Sequence, residues 1–382
     1  MTRRSDGGDP APDADGVAAL FDHHPDVGLH HGAQLAVYGD GDRVLSRAGG
    51  VVGPDGDAPA TTPDRKHVLF SCTKPFVAVA AHRLVEDGRL AYDDPVRDHW
   101  PGFADPGTTK AGTTVGHVLS HRAGLHESPV DDDPAAWADW DRVVGVIEDM
   151  EPAFEPGATA AYHALTYGFL VGELVRRVAG QPVAAHVRER VFEPLGMADT
   201  HLALPDDCED DVAELAGFAP FDRCRDPGVG LGTGTAEAAA LFNREAIHRA
   251  TVPSASATGT ARDMARFYAC LANGGSLDGT RLLARETVER ATAVRADVER
   301  DATMGVPRRY AMGFERAGTT GDKFGSLAPP RVFGHGGLGS VVGWADPRDG
   351  LAMAYVTNGI RDEYEHVARA NAMADAVRAA FG

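Results

Sequence analysis

The heptapeptide Phe70-Ser71-Cys72-Thr73-Lys74-Pro75-Phe76 sets a hydroxyl and an amine three residues apart. On a helix, positions i and i+3 share a face, so the two side chains meet. A serine hydroxyl attacks poorly until a neighbouring base takes its proton. A lysine is such a base where burial and nearby cations lower its pKa. Pro75 fixes the frame, because its ring and missing N–H fit only the first turn of a helix. Ser71 is therefore expected at or just before a helix N-terminus, where free N–H groups and the macrodipole favour developing negative charge. Ser-x-x-Lys also arises by chance, and its plain reading is a helix cap followed by a solvated lysine. Lysine scarcity weighs against chance: Lys66, Lys74, Lys110 and Lys323 are the only four in 382 residues.

Outward from the heptapeptide, the spacing predicts a helix through Phe76–Glu86 that stops at Asp87-Gly88. Upstream, Gln34–Tyr38, the turn Gly39–Asp42 and Arg43–Arg47 read as a β-hairpin, and a short helix is expected from Gly16. From about Tyr92 to Asp301 the signals are mostly helical, clearest at Leu165–Ala179 before Gly180, at Gln181–Phe192, and at Thr260–Asn273 before Gly274-Gly275. Four strands follow, at Tyr310–Phe314, Arg331–Gly334, Ser340–Ala345 and Leu351–Thr357, and then a helix over Asp362–Ala380. Strands at both ends with helices between predict one α/β domain from residues 16–90 and 305–382. A mainly helical domain at 91–304 is inserted into it, and the tail at 1–15 is disordered.

Composition limits the function classes. The chain carries 38 Asp, 18 Glu, 33 Arg and 4 Lys, a net charge of −19. Such an Asp-rich, Lys-poor surface resembles proteins of salt-loving archaea, where salt screens carboxylate repulsion; an acidic enzyme from a GC-rich genome is the alternative. The charge argues against nucleic acid as a partner. No apolar run reaches 18 residues, so no membrane helix is expected, and the first residues lack a signal h-region, which points to the cytoplasm. Cys72, Cys208, Cys224 and Cys270 lack metal or disulfide spacing. His117 and His121 stand four apart without a third ligand, so helix packing is expected there and no metal site. His23-His24 and His30-His31 read as solvated surface, and the glycine-rich run from Gly230 as a flexible loop beside the cleft.

Three further stretches share one resemblance. They are Thr114-Val-Gly-His117-Val-Leu-Ser-His121-Arg-Ala-Gly124-Leu125, the run from Phe154-Glu-Pro-Gly157 through Tyr162-His163-Ala164 and Tyr167-Gly168 to Met197-Ala-Asp-Thr-His201, and Phe333-Gly-His335-Gly-Gly337. With Ser71-x-x-Lys74 they fall in the order seen in the serine β-lactamase and penicillin-binding-protein superfamily. The chain resembles that superfamily, specifically the branch of class C β-lactamases and related esterases (family VIII type), from about residue 30 to 380. The resemblance implies a β-lactamase/transpeptidase-like α/β fold, with an antiparallel sheet flanked by helices and an inserted helical domain.

The resemblance also implies roles. Ser71 matches the nucleophile that forms an acyl-enzyme, and Lys74 the base beside it. Tyr162 matches the second motif, usually Tyr-x-Asn or Tyr-x-Ser. Here Ala164 takes the third place and offers no hydrogen bond. His335, Gly336 and Gly337 match the third motif, usually Lys-Thr-Gly. The backbone N–H groups of Ser71 and Leu338 match the oxyanion hole. Chemically, a tyrosine beside two bases is expected to titrate low enough to trade protons, and two aimed N–H groups stabilise a tetrahedral oxyanion. The paired glycines are expected to let substrate approach the strand. A histidine mostly neutral at pH 7 anchors an anion poorly and has one hydrogen bond to donate, although Arg331 shares its face of the strand. The expected function is a carboxylesterase on short or medium acyl esters. A β-lactamase, D-peptidase or D-aminopeptidase is the alternative, and a catalytically idle binding homologue the alternative from another class. Neither a metal nor an organic cofactor is implied. The partner is a small-molecule ester or amide, and the oligomeric state is left open.

Overall fold

Alternate residues of a strand face opposite sides of a sheet, and the strand around Gln34–Tyr38 divides that way. In the computed structural model, which describes residues 14–221 and 234–382, Leu35 and Val37 enter one apolar core while Ala36 and Tyr38 enter another. This strand, β1 (Gly32–Gly39), turns into β2 (Asp42–Gly50), and α1 (Ala14–Asp26) precedes them. Cys224 and the start of the glycine-rich run at Gly230 lie outside the described residues, as does the tail up to residue 13.

The later elements that position the site are α2 (Lys74–Glu86), α3 (Thr166–Ala179), α4 (Ala261–Ala272), β3 (Ala296–Val298), β4 (Arg308–Tyr310), β5 (Glu315–Arg316), β6 (Phe333–Gly337), β7 (Val341–Asp346), β8 (Leu351–Thr357) and α5 (Glu363–Phe381). The eight strands form one antiparallel sheet in the order β2-β1-β8-β7-β6-β5-β4-β3. This is the β-lactamase/transpeptidase-like arrangement expected from sequence.

The two faces of the sheet are covered by different helices. Val17 and Phe21 of α1 and Ala370, Met373 and Val377 of α5 pack with Trp344, Met353 and Tyr355 on one face. Burying each large apolar side chain there contributes roughly 1.5–3 kcal/mol. On the other face α4 lies across β1, β7 and β8, and the core continues without a break into α2 and α3. Gly180 closes α3 in the left-handed conformation, φ +75°, which glycine adopts without steric cost.

Several expectations are corrected. The strand expected at Tyr310–Phe314 is two strands joined by a turn. Met312 N–H donates to Ala291 O and Gly313 N–H to Leu119 O, which takes both out of the ladder. The stretch Gln181–Phe192 begins as a helix at Val183 and continues as a wider π-turn over Arg188–Phe192. The segment expected to be a separate helical insert gives the sheet its edge strand β3, and α4 packs on the sheet itself. Helix α1 begins at Ala14, inside the expected tail. His24 and His30 are buried, not solvated; His24 Nδ1 lies 2.8 Å from the Tyr355 hydroxyl. Among the described residues no helix is long and apolar enough to cross a membrane, and no group of three or more His, Cys, Asp or Glu is placed to hold a metal ion.

Candidate active site

Ser71 sits in a 3₁₀ turn, Phe70–Thr73, that runs straight into α2 at Lys74. The turn is tightly held. Leu69 N–H donates to Ala257 O at 2.7 Å, Thr73 Oγ1 to Phe70 O at 2.6 Å, and Ala257 N–H to Thr73 Oγ1 at 3.2 Å. These bonds hold Phe70 at φ +46°, a conformation that costs a bulky residue on the order of 1–3 kcal/mol. The strained residue directly precedes Ser71, which lines a cavity.

The cavity brings the other expected residues together. Lys74 Nζ donates to Ser71 Oγ at 2.9 Å and to Ser254 O at 3.3 Å. Lys74 is fully buried, and that burial lowers its pKa to about 7, with Asp131 and Glu315 opposing. Its ammonium stands 4.9 Å from the centre of the Tyr162 ring. Tyr162, His335, Gly336 and Leu338 line the same cavity as Ser71. Leu338, in the turn after β6, lines the cavity, and among the described residues nothing accepts its N–H. Cys72 Sγ donates to His335 O at 3.1 Å and ties the serine turn to β6. Ala164 lies on the wall as an apolar patch.

Four chemical expectations change. Burial and the Glu315 charge hold the Tyr162 phenol well above its usual range, so it is a neutral acid and not a low-titrating one. Burial takes His335 down to about 4, and its Nδ1 lies 2.7 Å from Gly336 O. A neutral ring with Nδ1–H spent on that carbonyl keeps Nε2 as an acceptor, so His335 has no proton to offer substrate. Arg331 is spent on Asp346 and Asp349, at 2.6 Å each. The glycine pair makes room for protein and not for substrate: a Cβ on Gly337 would fall 2.7 Å from Leu69 O, and one on Gly336 2.5 Å from Lys323 Cδ.

Sequence reasoning missed the second charged wall. Lys323, Glu315 and Glu363 line the cavity beside His335. Burial alone would raise the Glu315 carboxyl, but the bases His335, Arg308 and Lys323 bring it below its ordinary value. Asp131, in a turn upstream of the helix Trp140–Asp149, has a buried oxygen without a hydrogen-bond partner; burial lifts it to about 7, with Lys74 opposing. The signal for Lys323 was present, since scarcity singles it out as it does Lys74. All four lysines are in fact internal, at 5, 0, 3 and 5% exposure for Lys66, Lys74, Lys110 and Lys323. Lys66 pairs with Asp199 and Asp211, and Lys110 caps the carbonyls of Ile147 and Glu148.

The Beta-lactamase family profile matches residues 17–378 of this chain, a span that includes this serine, lysine, tyrosine and His-Gly-Gly strand. The chain belongs to the β-lactamase family. As a family member it is 34% identical over 348 residues to the "Esterase/beta-lactamase LipL" of Mycobacterium tuberculosis (strain ATCC 25618 / H37Rv), covering 86% of this chain and 77% of that protein. Among solved structures it is similar to a penicillin-binding protein homologue from Caulobacter crescentus, with TM-score 0.82, 35% identity, and coverage of 97% of this chain and 100% of the other. A family VIII carboxylesterase superposes with TM-score 0.81 at 28% identity, covering 96% and 99%. The protein is thus a hydrolase of the β-lactamase fold with esterase relatives. His117, by contrast, serves that fold locally. Its N–H donates to Thr114 Oγ1 at 3.2 Å, and its ring accepts the Thr114 N–H at 3.3 Å. His121 is packed among Tyr162, Tyr167 and Tyr310.

Proposed function

We propose that this β-lactamase-family protein is a carboxylesterase that hydrolyses short or medium acyl esters through an acyl-enzyme on Ser71. The observation that carries the reading is the 2.9 Å contact between Ser71 Oγ and a fully buried lysine whose pKa is brought to about 7. At neutral pH a large share of Lys74 is the free amine. Its lone pair takes the Ser71 proton as Oγ bonds to the ester carbonyl carbon. The oxyanion that forms is met by the Ser71 and Leu338 N–H groups. Collapse breaks the bond to the alkoxide, which is protonated by the neutral Tyr162 phenol, itself resupplied by the Lys74 ammonium beside it. Water then attacks the acyl carbonyl, its proton passes to Lys74, and Ser71 regains its hydrogen as the acid leaves. Phe70, Leu165, Phe242 and Ala255 give the acyl group an apolar wall, which favours uncharged chains. No metal or organic cofactor takes part in these steps.

Intact-protein mass spectrometry with a fluorophosphonate tests the nucleophile. One adduct, located to Ser71 and lost in Ser71→Ala, is expected, and Ser71→Ala and Lys74→Ala both lose essentially all turnover of p-nitrophenyl butyrate while staying folded. An adduct retained in folded Ser71→Ala would overturn the mechanism. Turnover of nitrocefin equal to or faster than that of the butyrate ester would replace the esterase reading with the β-lactamase one.

A further inference from the structure

Gly336 is what admits Lys323 to the cavity. The lysine stem lies against the glycine so closely that a Cβ there would meet Cδ at 2.5 Å, Cε at 3.0 Å and Nζ at 3.3 Å. The ammonium therefore forms wall beside His335, 5% exposed. A buried ammonium at a substrate cavity is an anion receptor unless another group fills it. Here Glu363 fills it. Its Oε1 is 2.6 Å from Lys323 Nζ and 3.4 Å from an Arg308 nitrogen. The partners differ in freedom. Arg308 is 2% exposed and donates to Gly321 O at 3.2 Å. Glu363 is the first residue of α5, and its side chain is 32% exposed. It also stands with Met304 at the boundary with an adjoining cavity. The wall thus sets two carboxylates, Glu315 and Glu363, against two cations, Lys323 and Arg308, and leaves no net positive charge for an entering anion.

We infer that Glu363 is a specificity-determining residue: by occupying Lys323 it keeps carboxylate-bearing acyl groups out of the cavity, and removing its charge makes Lys323 their anchor. The inference rests on the esterase reading of the same cavity. Matched esters test it: p-nitrophenyl valerate and mono-p-nitrophenyl glutarate share a five-carbon acyl chain and differ by the terminal carboxylate. Wild type is expected to prefer valerate. Glu363→Gln is expected to move the kcat/KM ratio toward glutarate about tenfold or more, the scale of one charge-assisted hydrogen bond. Adding Lys323→Met to Glu363→Gln is expected to abolish that shift. A ratio that stays put in Glu363→Gln, or a shift that survives without Lys323, overturns the inference. Free glutarate gives a second readout by calorimetry: binding by Glu363→Gln and not by wild type supports the inference, and equal binding overturns it even if the lysine variant fails to fold. Failure of the wild type to hydrolyse valerate would overturn the esterase reading instead, and the calorimetry would still decide the role of Glu363.

Discussion

The Asp301 carboxylate accepts the backbone N–H of Tyr162 at 2.9 Å, across 139 residues of sequence. The same oxygen accepts the Tyr310 hydroxyl at 2.8 Å, and the other oxygen accepts the N–H groups of Thr303 at 2.9 Å and Met304 at 2.8 Å. Thr303 Oγ1 in turn donates to Tyr162 O at 2.8 Å. One fully buried carboxylate thereby fixes the backbone that carries the tyrosine and the loop that carries Met304 of the cavity wall.

Asp301→Ala leaves two buried and two half-buried donors without an acceptor. It is expected to cost about 2–4 kcal/mol of stability and to lower kcat at least about tenfold through a displaced Tyr162. Asp301→Asn, which keeps one acceptor oxygen, should cost less on both counts. Thermal melts and ester kinetics on the two variants check this; equal effects on both would refute it.

The rate should follow the protonation of Lys74. With its pKa brought down to about 7 by burial, the free amine is lost as pH falls, so kcat/KM on an uncharged ester rises with pH through about 7 and levels above it. The Asp131 charge raises the Lys74 pKa. Asp131→Asn should therefore move the rising limb to lower pH. A limb that moves up, or stays where it was, would show that another group controls it.

Most of this charge network was illegible in the sequence for a physical reason. Ser71 and Lys74 meet because helical geometry brings i and i+3 together, so their spacing alone announces the contact. Asp301 and Tyr162, or Lys323 and Glu363, meet only after β4, β5 and α5 have packed, and no local pattern encodes that. The sheet is readable where a continuous apolar run follows a turn, as in Leu351–Thr357 after Asp346–Gly350. It is hidden at Tyr310–Phe314, where Gly313 fits against Ala78 so closely that a Cβ there would fall 2.2 Å from the Ala78 Cβ. His24 and His30 looked like surface because a polar residue type carries no sign of the Tyr355 and Arg369 that surround it.

Buried histidines make the fold acid-labile. Burial lowers His67 and His82 from 6.5 to about 4. Between pH 4 and 6.5 the unfolded chain binds these protons and the native one does not, so the stability is fully present above 6.5 and lost as pH falls toward 4. Asp131 and Asp263, raised by burial to about 7 and about 6, work in the opposite sense but are outnumbered by the buried histidines, which also include His24 and His335. His67 and His82 should each cost on the order of 2–3 kcal/mol by pH 4.5. Denaturant midpoints at pH 7.5 and 4.5 test this, and equal midpoints would refute it.

Salt should stabilise the chain. Its net charge of −19 is self-repulsive, and screening relieves it. Exposed pairs such as Arg142–Asp133 weaken in salt but contribute little each. The melting temperature is expected to climb by about 5 °C or more from 0.1 to 2 M KCl. A flat or falling series would leave genome composition as the reason for the acidic surface.

The internal placement of all four lysines changes how the protein meets reagents that seek amines. Activated esters, isothiocyanates and reductive methylation ordinarily decorate a protein's outside through lysine. Here every lysine is enclosed, and the outer cations are guanidiniums that such reagents leave alone. Of the four, Lys74 is fully buried against Ser71 with its pKa lowered to about 7, and Lys323 lines the cavity wall. Lysine acylation of the folded protein would therefore report access to its interior, not decoration of its surface.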